Sequence, residues 1–150
     1  MLRDQINDAL KVAMKSQEKR RTATLRLVNA AVKDRDIAAR TGGKDNVSDD
    51  EIRELLQKMV RQREESAVVY AEAGRTELAE QEREEIEIIR DFLPRQMSED
   101  EVRCACEDVV KDIGANGLRD MGKCMSTLKE RFPGQIDFGR ASTVVKGMLN

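Results

Sequence analysis

The sequence predicts an all-α protein built from two helical domains, on three observations. Only two Pro and 3% aromatic residues occur in 150 residues, among abundant Glu, Lys, Arg, Ala and Leu. Such side chains keep most of their rotamer freedom in a helix, whereas β-branched and aromatic runs would favour strands. Apolar residues recur every three or four positions over nearly the whole chain, and the interruptions fall at Gly, Pro and capping residues.

The first apolar stripe is Leu2, Ile6, Leu10, Ala13 and Met14. The second is Leu25, Val28, Ala31 and Val32, with Glu18-Lys19-Arg20-Arg21 as a polar hinge between the two. Thr41-Gly42-Gly43-Lys44-Asp45-Asn46 carries the Gly and Asn residues that end a helix. Ser48-Asp49-Asp50-Glu51 restarts it as a capping box, and Ile52, Leu55, Leu56, Met59 and Arg63 follow on one face. That helix runs through Ala67 and Tyr70 to Ala73-Gly74-Arg75-Thr76, where Gly74 suits the left-handed position after a helix and Thr76 suits the next cap. Leu78, Ile86, Ile89, Phe92 and Leu93 then mark an acidic amphipathic helix, so two long antiparallel helices joined by a short turn are expected.

Pro94 stops this helix, and Ser98-Glu99-Asp100-Glu101 is a second capping box. The charge balance also changes here from acidic to neutral, which places a boundary near residues 93–97 and gives domains 1–93 and 94–150. Three short helices are expected beyond it. The first buries Val102, Cys106, Val109, Val110 and Ile113 and ends at Gly114. The second starts near Asp120 and buries Met121, Cys124, Met125, Leu128 and Phe132. After Pro133-Gly134, Asp137 caps the third, with Phe138, Ala141, Val145, Met148 and Leu149 inside.

The absence of His excludes an imidazole general base, a Ser-His-Asp or Cys-His pair and any His metal ligand. Glu80, Glu82, Glu84, Glu85 and Glu87 are dense, but no apolar shield is evident that would raise one of them toward neutrality for acid–base work. Cys106 and Cys124 fall on core stripes and only Cys104 should face outward. Three thiols without metal-ligand spacing read as reduced, in a cytoplasmic protein without structural disulfides. The longest apolar run, Ala67 to Ala71, is far short of the ~20 residues a membrane helix needs. No catalytic residue, cofactor or metal is expected.

The net charge of −2 conceals a strong asymmetry. Residues 1–44 carry eleven basic and five acidic side chains, 45–93 carry seven and fifteen, and 94–150 carry nine of each. Lys11, Lys15, Lys19, Arg20, Arg21 and Arg26 cluster with only Glu18 opposing them, and Lys11, Lys15 and Lys19 would line one side of a continuous helix. Such a stripe can follow phosphates, or it can answer the acidic helix at 77–91 across the bundle, the commoner fate of a charge run. Gly122 in the first turn of its helix costs stability there, so it points to the close approach of a neighbouring helix or of a phosphate beside Lys123.

Tyr70-Ala71-Glu72-Ala73-Gly74-Arg75-Thr76-Glu77-Leu78, Phe92-Leu93-Pro94-Arg95-Gln96-Met97, Gly114-Ala115 and Asp120-Met121-Gly122-Lys123-Cys124-Met125 together resemble the YqeY family over essentially the whole chain. Cys124 departs from the Val expected there, with similar volume. The family is a bacterial relative of the tail of the GatB subunit of aspartyl/glutamyl-tRNA amidotransferase. The resemblance implies an elongated N-terminal helical domain and a small three-helix domain like the GatB tail, which helps to hold tRNA. It also attaches the label of a carbon–nitrogen ligase with glutamine as amido-N-donor, although no self-contained active site is visible. The expected function is therefore a non-catalytic module associated with tRNA or with amidotransferase subunits. Candidate nucleic-acid contacts are Arg119, Lys123 and Lys129, with Lys15, Lys19, Arg20 and Arg21 as a second patch. The alternatives are a protein-interaction scaffold using the acidic helix and an accessory amidotransferase subunit.

Overall fold

The computed structural model describes residues 1–43 and 45–150; Lys44, within the break expected at 41–46, lies outside the described residues. Among the described residues there are seven α-helices, one short 3-10 turn and no strand, so the protein is all-α. The chain divides into two units, Met1–Leu93 and Pro94–Asn150.

The first unit comprises α1 (Leu2–Lys15), α2 (Lys19–Thr41), α3 (Asp49–Glu72) and α4 (Thr76–Arg90). Its most extensive pairing is the α3–α4 hairpin; α2 packs on α1 and α4. The hairpin turn is a Schellman motif: Arg75 N donates to Tyr70 O at 2.8 Å and Gly74 N to Ala71 O at 3.1 Å. Gly74 takes φ +76°, which an L side chain rarely adopts. Arg75 occupies the N-cap of α4 without a side-chain cap, and Thr76 is already helical rather than the expected cap. Further along the hairpin, Arg63 Nε meets Glu85 at 3.2 Å and Arg90 Nη2 meets Glu64 at 3.0 Å, consistent with two antiparallel helices.

Ile6, Leu25, Val28, Ile52, Leu56 and Ile89 form the centre of this core. Two stripe assignments shift by one residue. Met14 is 49% exposed while Ala13 is fully buried, and Leu78 is 37% exposed while Ala79 is 1% exposed. One residue is a 100° step round a helix, so Ala79, in phase with Ile86, takes the inward position that the larger Leu78 misses.

A polar clasp ties the far end of the bundle together. Arg3 makes two parallel hydrogen bonds to Asp36, at 2.7 and 2.9 Å, and Asp36 also accepts from Val47 N at 3.0 Å. Leu2 N donates to Asp49 at the start of α3. The beginning of α1, the last turns of α2 and the entry to α3 are thereby joined.

The second unit holds α5 (Glu99–Ile113), the 3-10 turn Leu118–Asp120, α6 (Met121–Arg131) and α7 (Phe138–Leu149). Each α-helix packs on the other two. Cys106, Val109, Cys124, Leu128, Ala141 and Val145 are the centre of this core, joined by Ile136 from the loop before α7. The capping box is complete: Ser98 Oγ accepts from Glu101 N at 3.2 Å and the Glu101 carboxylate accepts from Ser98 N at 3.1 Å. Arg95 also grips Glu101, and this guanidinium, with the Ser98 amide, lowers the Glu101 carboxyl to about 2. Gly114 ends α5 at φ +72°, and Asp137 Oδ1 accepts from Gly139 N at 3.0 Å to start α7. Met97 N donates to Gln135 O at 3.0 Å, and the Gln96 amide donates to Gly134 O at 2.8 Å, fixing the opening segment of this unit.

Two expectations near α6 change. Gly122 faces open space, since an added Cβ would meet nothing within 4 Å, so no neighbouring helix approaches it closely. Asp120 precedes α6 but its carboxylate accepts from Asn116 N at 3.1 Å instead of capping the helix.

Cys106 and Cys124 are buried and Cys104 is exposed, all three as free thiols. Burial raises both core thiols, Cys106 to about 11. Because the thiolate is the reactive form, a thiol-specific disulfide reagent is expected to label one cysteine rapidly in the native protein and three after unfolding. Rapid native labelling of more than one would contradict the burial of this pair.

Candidate nucleic-acid interface

The basic N-terminal cluster is shaped by the break between α1 and α2. Ala13 and Met14 carbonyls accept from Glu18 N at 3.0 Å and Gln17 N at 3.3 Å, closing α1 with a second Schellman motif. Gln17 fills the left-handed position at φ +57° and is the one non-glycine with positive φ among the described residues. Because the chain turns here, Lys11 and Lys15 lie on α1 and Lys19 opens α2; the continuous lysine stripe expected for one uninterrupted helix does not form.

The break leaves a groove of about 480 Å³ lined by Met14, Gln17, Lys19, Thr22, Ala23 and Arg26. The α2 contribution follows from the period of the helix. Residues 19, 22, 23 and 26 stand at i, i+3, i+4 and i+7, on the side of α2 turned away from the buried Leu25 and Val28. Met14, excluded from the core, supplies apolar surface with Ala23, while Lys19, Arg26, Gln17 and Thr22 supply polar groups.

The cations of the cluster have two fates. Arg20 meets Glu84 at 3.6 Å and Arg21 meets Asp91 at 3.0 Å, so these two answer the acidic segment α4–Asp91 across the bundle. Lys15, Lys19 and Arg26 make no ion pair among the described residues. The groove is therefore lined by two cations without an ion pair among the described residues, Lys19 and Arg26, with Glu18 the one acid beside them in sequence, although the first unit as a whole carries a slight excess of acid.

In the second unit, Arg119 stands exposed on the 3-10 turn and Lys123 stands exposed in the first turn of α6. Lys129 sits over the Phe138 ring with its ammonium 5.4 Å from the centroid, a cation–π contact that holds it toward α7. Six residues along α6 amount to about 240°, so Lys123 and Lys129 do not share a face.

Among the acidic residues, Glu82 differs from the sequence expectation. It is half-buried, and burial first, then the nearby Glu85 carboxylate, raises its pKa, with Arg63 opposing. Glu80, Glu84 and Glu87 are exposed. Among the described residues, no group of three or more Cys, Asp or Glu is placed to hold a metal ion, and no helix is long and apolar enough to cross a membrane.

The sequence carries no mark of Gln17, Met14, Thr22 and Ala23 as site residues, and it marks Arg26 only as a member of the basic cluster. Only a non-glycine where the chain needs φ > 0 signals Gln17, and that need shows only once the helix break is known. Gln17→Gly is expected to raise stability by about 0.5–1 kcal/mol, through relief of left-handed strain partly offset by glycine's extra unfolded-state entropy. A urea midpoint that falls instead would show that the Gln17 side chain holds the break together.

The sequence model of one family, described as Yqey-like protein, matches residues 3–149. The chain belongs to the YqeY family. The YqeY match spans both units and hence both groups of candidate cations. No curated protein sequence matches the chain significantly.

Proposed function

We propose that this YqeY-family protein is a non-catalytic module that binds tRNA through the basic groove between α1 and α2, with Arg119 and Lys123 as additional phosphate contacts. The observation that carries the proposal is the pairing pattern. Arg20 and Arg21 are answered within the fold, whereas Lys15, Lys19 and Arg26 are exposed without an ion pair among the described residues, and Lys19 and Arg26 line the groove. The resemblance of the family to the GatB tail supplies the choice of tRNA among polyanions.

Titration of bulk tRNA at increasing salt tests it. Affinity is expected to fall linearly on a log–log plot, by about one unit of slope per phosphate contact, because each contact releases condensed counterions. No binding at low salt would overturn the proposal. The proposal assigns the chain no ligase step of its own. An accessory role is tested with glutamine, ATP, misacylated tRNA and amidotransferase subunits: amide formation unchanged by adding the chain would remove that role.

One observation favours a second reading, a protein-interaction scaffold on the hairpin. Val68 and Val69 are 56% and 62% exposed close to the hairpin turn, and Glu72, Glu77 and Glu80 are exposed in the same part of the hairpin. Apolar patches with polar rims mark contact surfaces. In that reading, Val68→Asp with Val69→Asp abolishes binding of the partner protein and leaves tRNA affinity unchanged.

A further inference from the structure

We propose, resting on the tRNA reading above, that the groove at the α1–α2 break seats one unpaired nucleotide, its base against Met14 and Ala23 and its flanking phosphates at Lys19 and Arg26. Phosphate binding alone needs only exposed cations. This site has more: a concave surface of about 480 Å³ with an apolar floor, placed between two cations that no carboxylate answers among the described residues. Lys19 and Arg26 are seven residues apart on one face of α2, about 10 Å along its axis, so they bracket the floor instead of converging on one point.

The polar lining suits a base edge. The Gln17 amide offers both donors and an acceptor, and the Thr22 hydroxyl offers one of each. Gln17 stands where glycine would fit the backbone without strain, so its side chain is kept at a cost, and the groove it lines gives that side chain a task. A base in a duplex is stacked and paired and cannot enter; an unstacked base of a loop or an end can. The floor is a thioether and a methyl group rather than an aromatic ring, so the preference for unpaired nucleotides is modest.

The test compares a short single-stranded oligoribonucleotide with the blunt duplex it forms with its complement, by fluorescence anisotropy at one salt concentration. Electrostatics alone favours the duplex, whose charge density is higher. Seating of a base is expected to reverse this, with the single strand about twofold to threefold tighter, below the range for base stacking on aromatic side chains because the floor carries no ring. Ala23→Leu fills the groove without adding charge or a ring, and Gln17→Gly removes the edge contact at a position whose φ glycine accepts. Both variants are expected to lose the single-strand preference, bringing the ratio of single-strand to duplex affinity below one. Equal or weaker single-strand binding by the native protein overturns the inference and leaves the tRNA reading standing. A preference that survives in both variants overturns it as well. Failure of both nucleic acids to bind at low salt overturns the tRNA reading, and this inference with it.

Discussion

Charge reversal at Lys19 and Arg26 together is expected to weaken tRNA binding by on the order of a hundredfold, about tenfold for each charge-assisted phosphate bond removed, and to lower the log–log salt slope by about two. Both side chains are exposed on α2 and make no ion pair among the described residues, so the fold keeps all its pairings when they change. Lys19→Glu also places a negative charge in the first turn of α2, where the helix dipole favours it. The opposite effect is expected from Glu84→Gln with Asp91→Asn. Those carboxylates hold Arg20 at 3.6 Å and Arg21 at 3.0 Å, and removing their charge frees both guanidinium groups for phosphate. Salt titrations of the native protein and the two double variants order the three affinities. An unchanged slope after reversal at Lys19 and Arg26 would move the interface elsewhere.

Asp36→Asn is expected to destabilise the protein by about 3 kcal/mol in urea unfolding, the range for breaking a largely buried ion pair by removing one partner. Asp36 is 6% exposed and accepts two bonds from Arg3 and one from Val47 N, so the clasp between α1, α2 and the entry to α3 depends on its charge. The Arg3 hydrogen bonds, with the Val47 amide, hold the Asp36 carboxyl below its ordinary value of 3.8 in spite of burial. The sign follows from linkage. A carboxyl depressed in the folded state contributes fully above its unfolded pKa, and that contribution is lost as pH falls through the folded one. The stability difference between native protein and Asp36→Asn is therefore expected to be constant above about pH 5 and to shrink below about pH 4. A difference under about 1 kcal/mol, or one independent of pH into strong acid, would show that the clasp is dispensable.

Both predictions concern residues on α2, yet only part of their setting was legible in the sequence. Ser98 and Glu101 announced a capping box because both halves lie within three residues, and the structure contains both bonds. Gly74 announced a left-handed stop for the same local reason. Gln17 does the same work as Gly74 without a glycine, so the corner that creates the groove had no sequence mark beyond a polar stretch. Nothing in the sequence sets Asp36 apart from the other charges on its helix. It is buried because Arg3, 33 positions earlier, lies beside it. Leu78 and Ala79 show the remaining limit: apolar spacing locates a face only to within one residue where both neighbours are apolar.

What the sequence by itself determined is the all-α class and nearly every helix end, because hydrophobic period, capping and left-handed glycine are settled within a few residues of backbone. The tertiary structure alone decided what the charges do. Arg20 and Arg21 meet carboxylates more than sixty residues away, while Lys19 and Arg26, alike in the sequence, turn to the opposite side of the same helix and border a groove. Coulombic pairing and concavity depend on which helices become neighbours and at what rotation, and a 100° step between adjacent residues is enough to send one cation to a partner and the next to solvent.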